Sequence, residues 1–265
     1  MTAKEQAIFD LVVDTTVRAI VHFASKSKVP GFQILDILMP KERKIRSIVG
    51  GLETSLGSTL WEPLVKGIAS SNGFQVINGK SLLMPTYMPE AVTRTLNLVI
   101  SNREKAGSTY DSKTTREEIK KACSCCIKNP IMDFCQPPRG HGVDIWLKKD
   151  NVNYMTDSKT VQPNIGTYKT CLRQILTWHA YYYCKNPAGE LRTFIFIPYN
   201  PYKGDFREHT IGHGLPLLKE ELWVEDELWD FCSGVKDTFR IILSAFEHIR
   251  DKGLVTKELE KLFGK

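Results

Sequence analysis

Long apolar runs are missing from this 265-residue sequence. A helix that crosses a bilayer needs roughly 18 to 20 apolar residues, and the longest runs here, such as 194–198, break within a few positions. No membrane protein is expected. A basic start followed by an apolar block and a small-residue cleavage site is also missing, because Glu5 and Asp10 interrupt the first residues. The sequence therefore predicts no secretory leader. Cysteines do not come in an even framework: there are seven, and Cys123, Cys125 and Cys126 crowd together. That usage fits reduced thiols and a cytoplasmic location better than disulfides. Internal repeats and low-complexity tracts are absent too. Charge of one sign is only slightly in excess, 36 basic against 30 acidic residues for +6, a mild lean toward polyanions.

The distribution of charge carries more than its sum. Between Arg139 and Lys185 stand seven basic and three acidic residues. Residues 218–230 reverse the balance, with Glu220, Glu221, Glu225, Asp226, Glu227 and Asp230 against Lys219. That acidic stretch is predicted to be the solvated face of a helix over 217–232 that buries Leu222, Trp223, Leu228 and Trp229. A phosphate-binding surface would avoid it.

The first 130 residues read as mainly helical. Thr2 and Glu5 form a capping box ahead of a helix over 2–25. A second helical pattern runs over 41–69, with Ile45, Ile48, Val49, Leu52, Leu56 and Leu60 as one stripe. Gly50, Gly51 and Gly57 beside the stripe predict close approach of a neighbouring backbone, and Glu53 lies in the same stretch. Helices over 89–103 and 114–128 follow. The period then changes: Val143, Ile145 and Leu147 alternate with polar neighbours, Asp150 and Asn151 supply a turn, and 152–159 returns as a second strand. A helix over 168–184, a short strand at 194–197 and a last helix over 235–250 complete a mixed α/β pattern.

The hairpin carries Asp144 at the start of one strand and Asp157 and Lys159 at the end of the other. A tight turn brings those ends together. Two converging carboxylates form the hard oxygen site that Mg²⁺ prefers, and alternation puts Asp157 and Lys159 on one face while Ser158 points away. An exposed, salt-bridged hairpin accounts for the same residues equally well. Acid-x-lysine occurs four times in the chain, including a second Asp-Ser-Lys at Asp111, Ser112 and Lys113. Only Asp157 has a partner strand bearing an acid.

Gly142-Val143-Asp144-Ile145-Trp146-Leu147, Asp157-Ser158-Lys159 and the continuation through Thr160, Gln162, Pro163, Asn164 and Gly166 resemble the PD-(D/E)XK nuclease core of type II restriction endonucleases. Residues 50–57, followed by Trp61, Glu62 and Pro63, are similar to the glutamate-bearing helix of the TdeIII-like family, and residues 196–202 resemble the strand and loop after the core helix. The likeness covers scattered blocks between about 43 and 204, with Val143 in place of the name-giving proline and Asp157 in place of the commoner glutamate.

The resemblance implies a single α/β nuclease domain over 1–265: a helical part at 1–130 that includes the Glu53 helix, a catalytic core at 139–204 and C-terminal helices at 215–265. It implies that Asp144, Asp157 and the main-chain carbonyl of Ser158 hold Mg²⁺, that Lys159 serves the attacking water and that Glu53 reaches the metal or its water. It also implies a homodimer that cuts double-stranded DNA at the symmetric site GGNCC. Glu53 reads alternatively as a helix carboxylate pairing with Arg43, Lys44 or Arg46. Arg139, Arg173, Lys203, Arg207 and His209 are the candidate DNA contacts.

Two rivals stand beside this reading. One is a resolvase or repair nuclease with the same core; the other is a non-catalytic DNA-binding module organised by zinc on Cys123, Cys125, Cys126 and Cys135 with His141. The cysteines lack the paired Cys-x2-Cys spacing of structural zinc sites and read as packed thiols. His209 and His213 have the interval of a zinc-binding pair without its glutamate, among glycines that predict a loop. Tyr181, Tyr182 and Tyr183 read as a packing face more readily than a base-stacking platform.

Overall fold

The computed structural model describes residues 1–26, 31–105, 110–124, 132–159, 164–211, 217 and 219–263. In chain order the main elements are α1 (Ala3–Lys26), α2 (Pro40–Leu56), α3 (Glu62–Ser71), β1 (Gln75–Ile77), β2 (Met84–Pro85), α4 (Glu90–Arg103), α5 (Ser112–Cys123) and β3 (Phe134–Cys135). They are followed by β4 (Ile145–Lys149), β5 (Val152–Ser158), α6 (Ile165–Lys185), β6 (Glu190–Ile197), α7 (Phe206–Ile211), β7 (Leu222–Val224), α8 (Asp226–Ser233), α9 (Thr238–Asp251) and α10 (Thr256–Phe263). They form two compact units, Met1–Asn72 with Trp229–Lys265, and Gly73–Leu228.

The first unit is helical. Its opening capping box is made as the sequence predicts: the Glu5 amide donates to Thr2 Oγ1 at 3.2 Å, and the Thr2 amide to Glu5 Oε2 at 2.6 Å. α1 buries Ile8, Val12, Thr15, Thr16 and Ala19 at helical intervals and packs against α9, α3 and α10. The close backbone approach expected at Gly50 and Gly51 is not found: a Cβ at Gly51 would meet only the Phe23 ring, at an ordinary contact distance of 3.4 Å, and Gly50 faces open space.

The single helix expected over 41–69 is two helices joined by a π turn, Gly57–Trp61. The extra residue rotates the following face by about 100°, so the stripe does not continue across it. Leu60 and Trp61 in the turn and Leu64, Val65 and Ile68 beyond it are buried, but before it only Ile48 is, and Ile45 and Val49 are exposed.

The second unit is built on a five-stranded mixed sheet in the order β1-β4-β5-β6-β7. β1, β4 and β5 are antiparallel neighbours; β6 and β7 join in parallel. The β4-β5 hairpin closes through Asp150 and Asn151 at φ 50° and 63°, the left-handed pair a two-residue hairpin turn requires and that Asp and Asn tolerate. α6 carries the chain from β5 to its parallel neighbour β6, and α4 and α5 pack on α6. The core under α6 gathers Trp146, Met155, Leu172, Ile175, Trp178 and Ile195. Within it Trp146 Nε1 donates to Asn153 Oδ1 at 2.9 Å, and Asn153 Nδ2 donates to the Tyr182 hydroxyl at 2.8 Å. Tyr181, Tyr182 and Tyr183 are all buried, which makes them a packing face.

The helix expected over 217–232 is not formed as one element. A short 3₁₀ turn at Lys219–Glu221 leads into β7, Glu225 takes φ 53°, and α8 begins only at Asp226. Pairing with β6 satisfies the backbone of 222–224 and overrides helical propensity there. Glu221, placed by the sequence reading on a solvated face, is 5% exposed and is gripped by Arg103.

Candidate active site

The hairpin places its two acids opposite one another. Ile145 pairs with Thr156 in the β4-β5 register, so Asp144, one residue outward, is level with Asp157 on the neighbouring strand. Asp157 shares the face of Met155, which packs into the core under α6. Its carboxylate is only 4% exposed, and its partner is the ammonium of Lys159, whose Nζ contacts Asp157 Oδ2. The Lys159 amide donates to the Phe196 carbonyl at 2.9 Å, which fixes the strand end to β6.

The field at Lys159 is set by several groups at once. Burial pushes its pKa down, but the charge and hydrogen bond of Asp157, with further contributions from Cys171 and Asp144, hold it above the ordinary lysine value. The ammonium is therefore charged at neutral pH. Asp144 is itself exposed. Thus Asp144, Asp157 and Lys159 act on one spot, as the alternation of the hairpin predicts. Ser158 lies on the opposite face, and its buried Oγ has no hydrogen-bond partner among the described residues.

Two residues of α6 at this spot escaped the sequence reading. Cys171 is buried, and burial, opposed by Lys159 and reinforced by Asp157, raises its thiol to about 11. Tyr168 is buried as well, its hydroxyl pushed well above the usual range by burial, with no partner among the described residues. Their three-residue spacing signals only a shared helical face, so the sequence could place them in a core but not beneath these acids.

The remaining candidates are dispersed. Glu53 is exposed on α2 in the first unit; Arg43, one partner considered for it, contacts Asp36 through Nε and Ser47 through Nη1. Arg139 is exposed in a turn where the His141 amide donates to the Pro138 carbonyl at 3.0 Å, and Gly140 takes φ 89°. Trp178 Nε1, donating to the His141 carbonyl at 3.0 Å, ties that turn to α6. Arg173 makes a two-pronged pair with Glu104, 2.7 and 3.1 Å.

After β6, Lys203 and His209 are exposed, and the His209 ring stacks on Tyr202 at 4.3 Å. Arg207 is engaged inward, its Nη2 donating to the Leu222 carbonyl at 2.5 Å and to Glu227 at 2.6 Å. Glu225, which the sequence reading assigned to a helix face, accepts the Asn200 amide at 2.8 Å and anchors this loop.

Cys123 is packed in the core with its Sγ 3.6 Å from that of Cys184. Cys125, Cys126 and His213 lie outside the described residues, as do Thr160, Val161, Gln162 and Pro163. Among the described residues no three His, Cys, Asp or Glu side chains gather as a metal cluster, and no helix is long and apolar enough to cross a membrane. What the hairpin offers is a pair of hard oxygen donors of the kind a divalent cation takes, with the Lys159 ammonium beside them.

The sequence model of the family described as type II restriction endonuclease, HinfI, matches residues 19–250. The chain belongs to this restriction endonuclease family. It is also similar to the type II restriction enzyme MjaII of Methanocaldococcus jannaschii, 25% identical over an alignment of 214 positions that covers 75% of this chain and 53% of that protein. The chain thus spans about half the length of that relative. No solved structure matches it. The family match covers β1 through β7 and includes Glu53, Asp144, Asp157 and Lys159, so it embraces every candidate catalytic residue of the sequence reading.

Proposed function

We propose that this chain is a type II restriction endonuclease of the PD-(D/E)XK kind that hydrolyses both strands of duplex DNA with a divalent metal, Mg²⁺ in the cell. The observation that carries the reading is Asp144 level with Asp157, with the Lys159 ammonium on the Asp157 carboxylate. The donor chemistry fits the ion: Mg²⁺ takes one or two carboxylates and fills its other positions with water and phosphate oxygens. Asp144 and Asp157 would hold it, with the Ser158 carbonyl as a further donor; the TdeIII-like resemblance adds Glu53 to the residues to test. When bound, the ion supplies positive charge to the phosphate and makes a coordinated water more acidic.

The chain's own residues do the rest. Lys159 stands where an ammonium orients a water and stabilises the negative charge that grows on the phosphate as the new P–O bond forms and the bond to the departing 3′ oxygen breaks. A two-fold symmetric site asks for a homodimer whose axis coincides with that of the DNA. The TdeIII likeness implies GGNCC; the family match is to HinfI. Arg139 and Lys203, both exposed, are the first candidates for contacts to bases, and Arg173, His209 and Arg207 follow as contacts to phosphates. The protein would work in the cytoplasm as a single nuclease domain.

The test is digestion of phage DNA of known sequence with and without Mg²⁺, followed by mapping of the ends. Discrete fragments with a common sequence at every end, formed only with metal, support the proposal. Absence of cleavage with Mg²⁺ and with Mn²⁺, or ends without a shared sequence, overturns it.

A further inference from the structure

A second polar cavity lies in the same unit, away from the acid pair. It holds about 290 Å³ and is lined by Ser112, Arg116, His179, Arg192, Glu220 and Trp223, among others. Its wall on β6 is Thr193, which pairs with Met155; the catalytic candidate Asp157 pairs with Ile195, two positions further along.

The charges around this cavity are unbalanced. Of its two acids, Glu221 is consumed by Arg103. Arg116 and Arg192 have no ion pair or hydrogen bond among the described residues. Arg116 is half-buried and Arg192 exposed; brought from different elements to one concavity with Glu220 as its remaining acid, they give it an excess of positive charge that favours an anion. Ser112, also on the wall, is the first residue of α5, whose N-terminus is already capped by the Asp111 carboxylate, which accepts the Thr114 amide at 2.6 Å and leaves the two arginines as the positive groups of the cavity.

The floor adds an independent observation. His179 is 6% exposed, stacks on Tyr183 at 5.7 Å, and has Nε2 2.9 Å from Thr193 Oγ1. Its other ring nitrogen, Nδ1, is buried with no hydrogen-bond partner among the described residues. Buried polar atoms are ordinarily satisfied, so the floor beneath the cavity is polar and incompletely paired, while Arg116 and Arg192 are the charged groups a ligand would meet. Burial, helped by the nearby Arg116, keeps the ring neutral.

From this placement we infer that the cavity is a phosphate-binding site, although it borders the acidic stretch 218–230 that the sequence pattern sets apart from phosphate: Arg116 and Arg192 bind the phosphate oxygens, His179 forms the polar floor and the exposed Glu220 limits affinity by its charge. Arginine is the residue suited to planar, two-point contact with phosphate. The phosphate could come from a free nucleotide or from the DNA backbone. The inference goes beyond the nuclease reading and does not require it.

The experiment is titration calorimetry on the full chain in a chelator, so that nothing is cleaved, with inorganic phosphate, dAMP and a short duplex as three separate probes. The parent should bind at least one of them. Arg116→Ala and Arg192→Ala should each weaken that binding about tenfold, and Glu220→Gln should strengthen it. Thermal unfolding of each variant checks that the fold is kept, and Glu220→Gln at an exposed position keeps the test readable if an arginine variant unfolds. Ring nitrogen shifts of His179 should move on adding the probe that binds. Loss on phosphate and dAMP identifies a nucleotide site; loss on the duplex alone identifies a backbone contact. The inference is overturned if no probe's affinity responds to either arginine, or if Glu220→Gln weakens binding. Because no metal is present, failure here leaves the digestion test untouched, and failure of digestion leaves these affinities untouched.

Discussion

Arg103 and Glu221, 118 residues apart in the chain, meet in the interior of the sheet unit with Nη1–Oε1 at 2.9 Å and Nη2–Oε2 at 2.5 Å. Both side chains are nearly sealed from water. The pair fastens the end of α4 to the turn that launches β7, and Thr115 of α5 accepts from the same guanidinium at 3.4 Å. Breaking one side leaves the other charge buried and unpaired, which costs far more than the pair itself is worth.

Arg103→Ala and Glu221→Ala are therefore expected to destabilise the protein by about 3–5 kcal/mol each. Replacing both with apolar residues of similar size should recover much of the loss. Urea denaturation followed by tryptophan fluorescence checks this; single variants within about 0.5 kcal/mol of the parent would show the pair to be dispensable.

Lys159→Ala should keep DNA binding and lose cleavage by about 10²-fold or more, since one positive group beside the reacting phosphate is removed. Lys113→Ala is the control. Lys113 is exposed and lies 4.0 Å from Glu117 one turn on, so that variant should cut like the parent. The comparison is a single-turnover rate on one duplex. Parental cleavage by the Lys159 variant would remove it from the mechanism.

Asp144→Asn and Asp157→Asn should each abolish metal-dependent cleavage and bind DNA at least as well as the parent, because a negative charge facing phosphates is gone. Glu53→Gln should have the smaller effect if it acts through a water. Calorimetric titration with Mn²⁺ reads the metal directly; unchanged affinity in the Asp144 variant would exclude it as a ligand.

Arg207 and Arg139 should fail in different ways. Arg207 is held by Leu222 and Glu227, so Arg207→Ala should lower stability by about 1–3 kcal/mol and weaken binding to all duplexes alike. If Arg139 reads a base, Arg139→Ala should instead cost about 1–3 kcal/mol on the cognate duplex alone. Binding in Ca²⁺ to cognate, single-base-variant and random duplexes separates the two. Equal loss on every duplex for Arg139 would make it a phosphate clamp.

His179 gives a pH dependence. Burial, with Arg116, depresses its pKa from 6.5 to about 3, so between these values the unfolded chain holds a proton that the folded chain does not. Stability contributed by the neutral ring is present above pH 6.5 and is lost as pH falls toward 3, by at most about 1.4 kcal/mol per unit. His179→Gln should flatten this part of the stability profile. An unchanged slope would show that other groups dominate acid unfolding.

Much of the site was legible because β-hairpins are governed locally. Alternation, the Asp150-Asn151 turn and the placement of Asp144 and Asp157 all follow from neighbours in sequence. Most of the helices were legible for the same reason, and membership of the type II restriction endonucleases through the residues around the hairpin. What the sequence hid was non-local. β7 looks helical until β6 offers it a ladder, Glu221 looks solvated until Arg103 arrives from α4, and the pairing of Arg207 with Glu227 could not be read from either neighbourhood alone. The π turn at 57–61 shifts a face by a single residue, too small a change for periodicity to reveal.

The two-residue turn at Asp150 and Asn151 also works as a length gauge. Side chains on a strand change face at every residue, so adding one residue to the hairpin would slip the pairing and send Asp157 to the side of the sheet where Ser158 now points. The distance in sequence from Asp144 to Asp157 is thus held by geometry as firmly as the identities of the two acids. Variation in the length of this chain should be found in its loops, while the hairpin stays the same number of residues wherever its acids are kept.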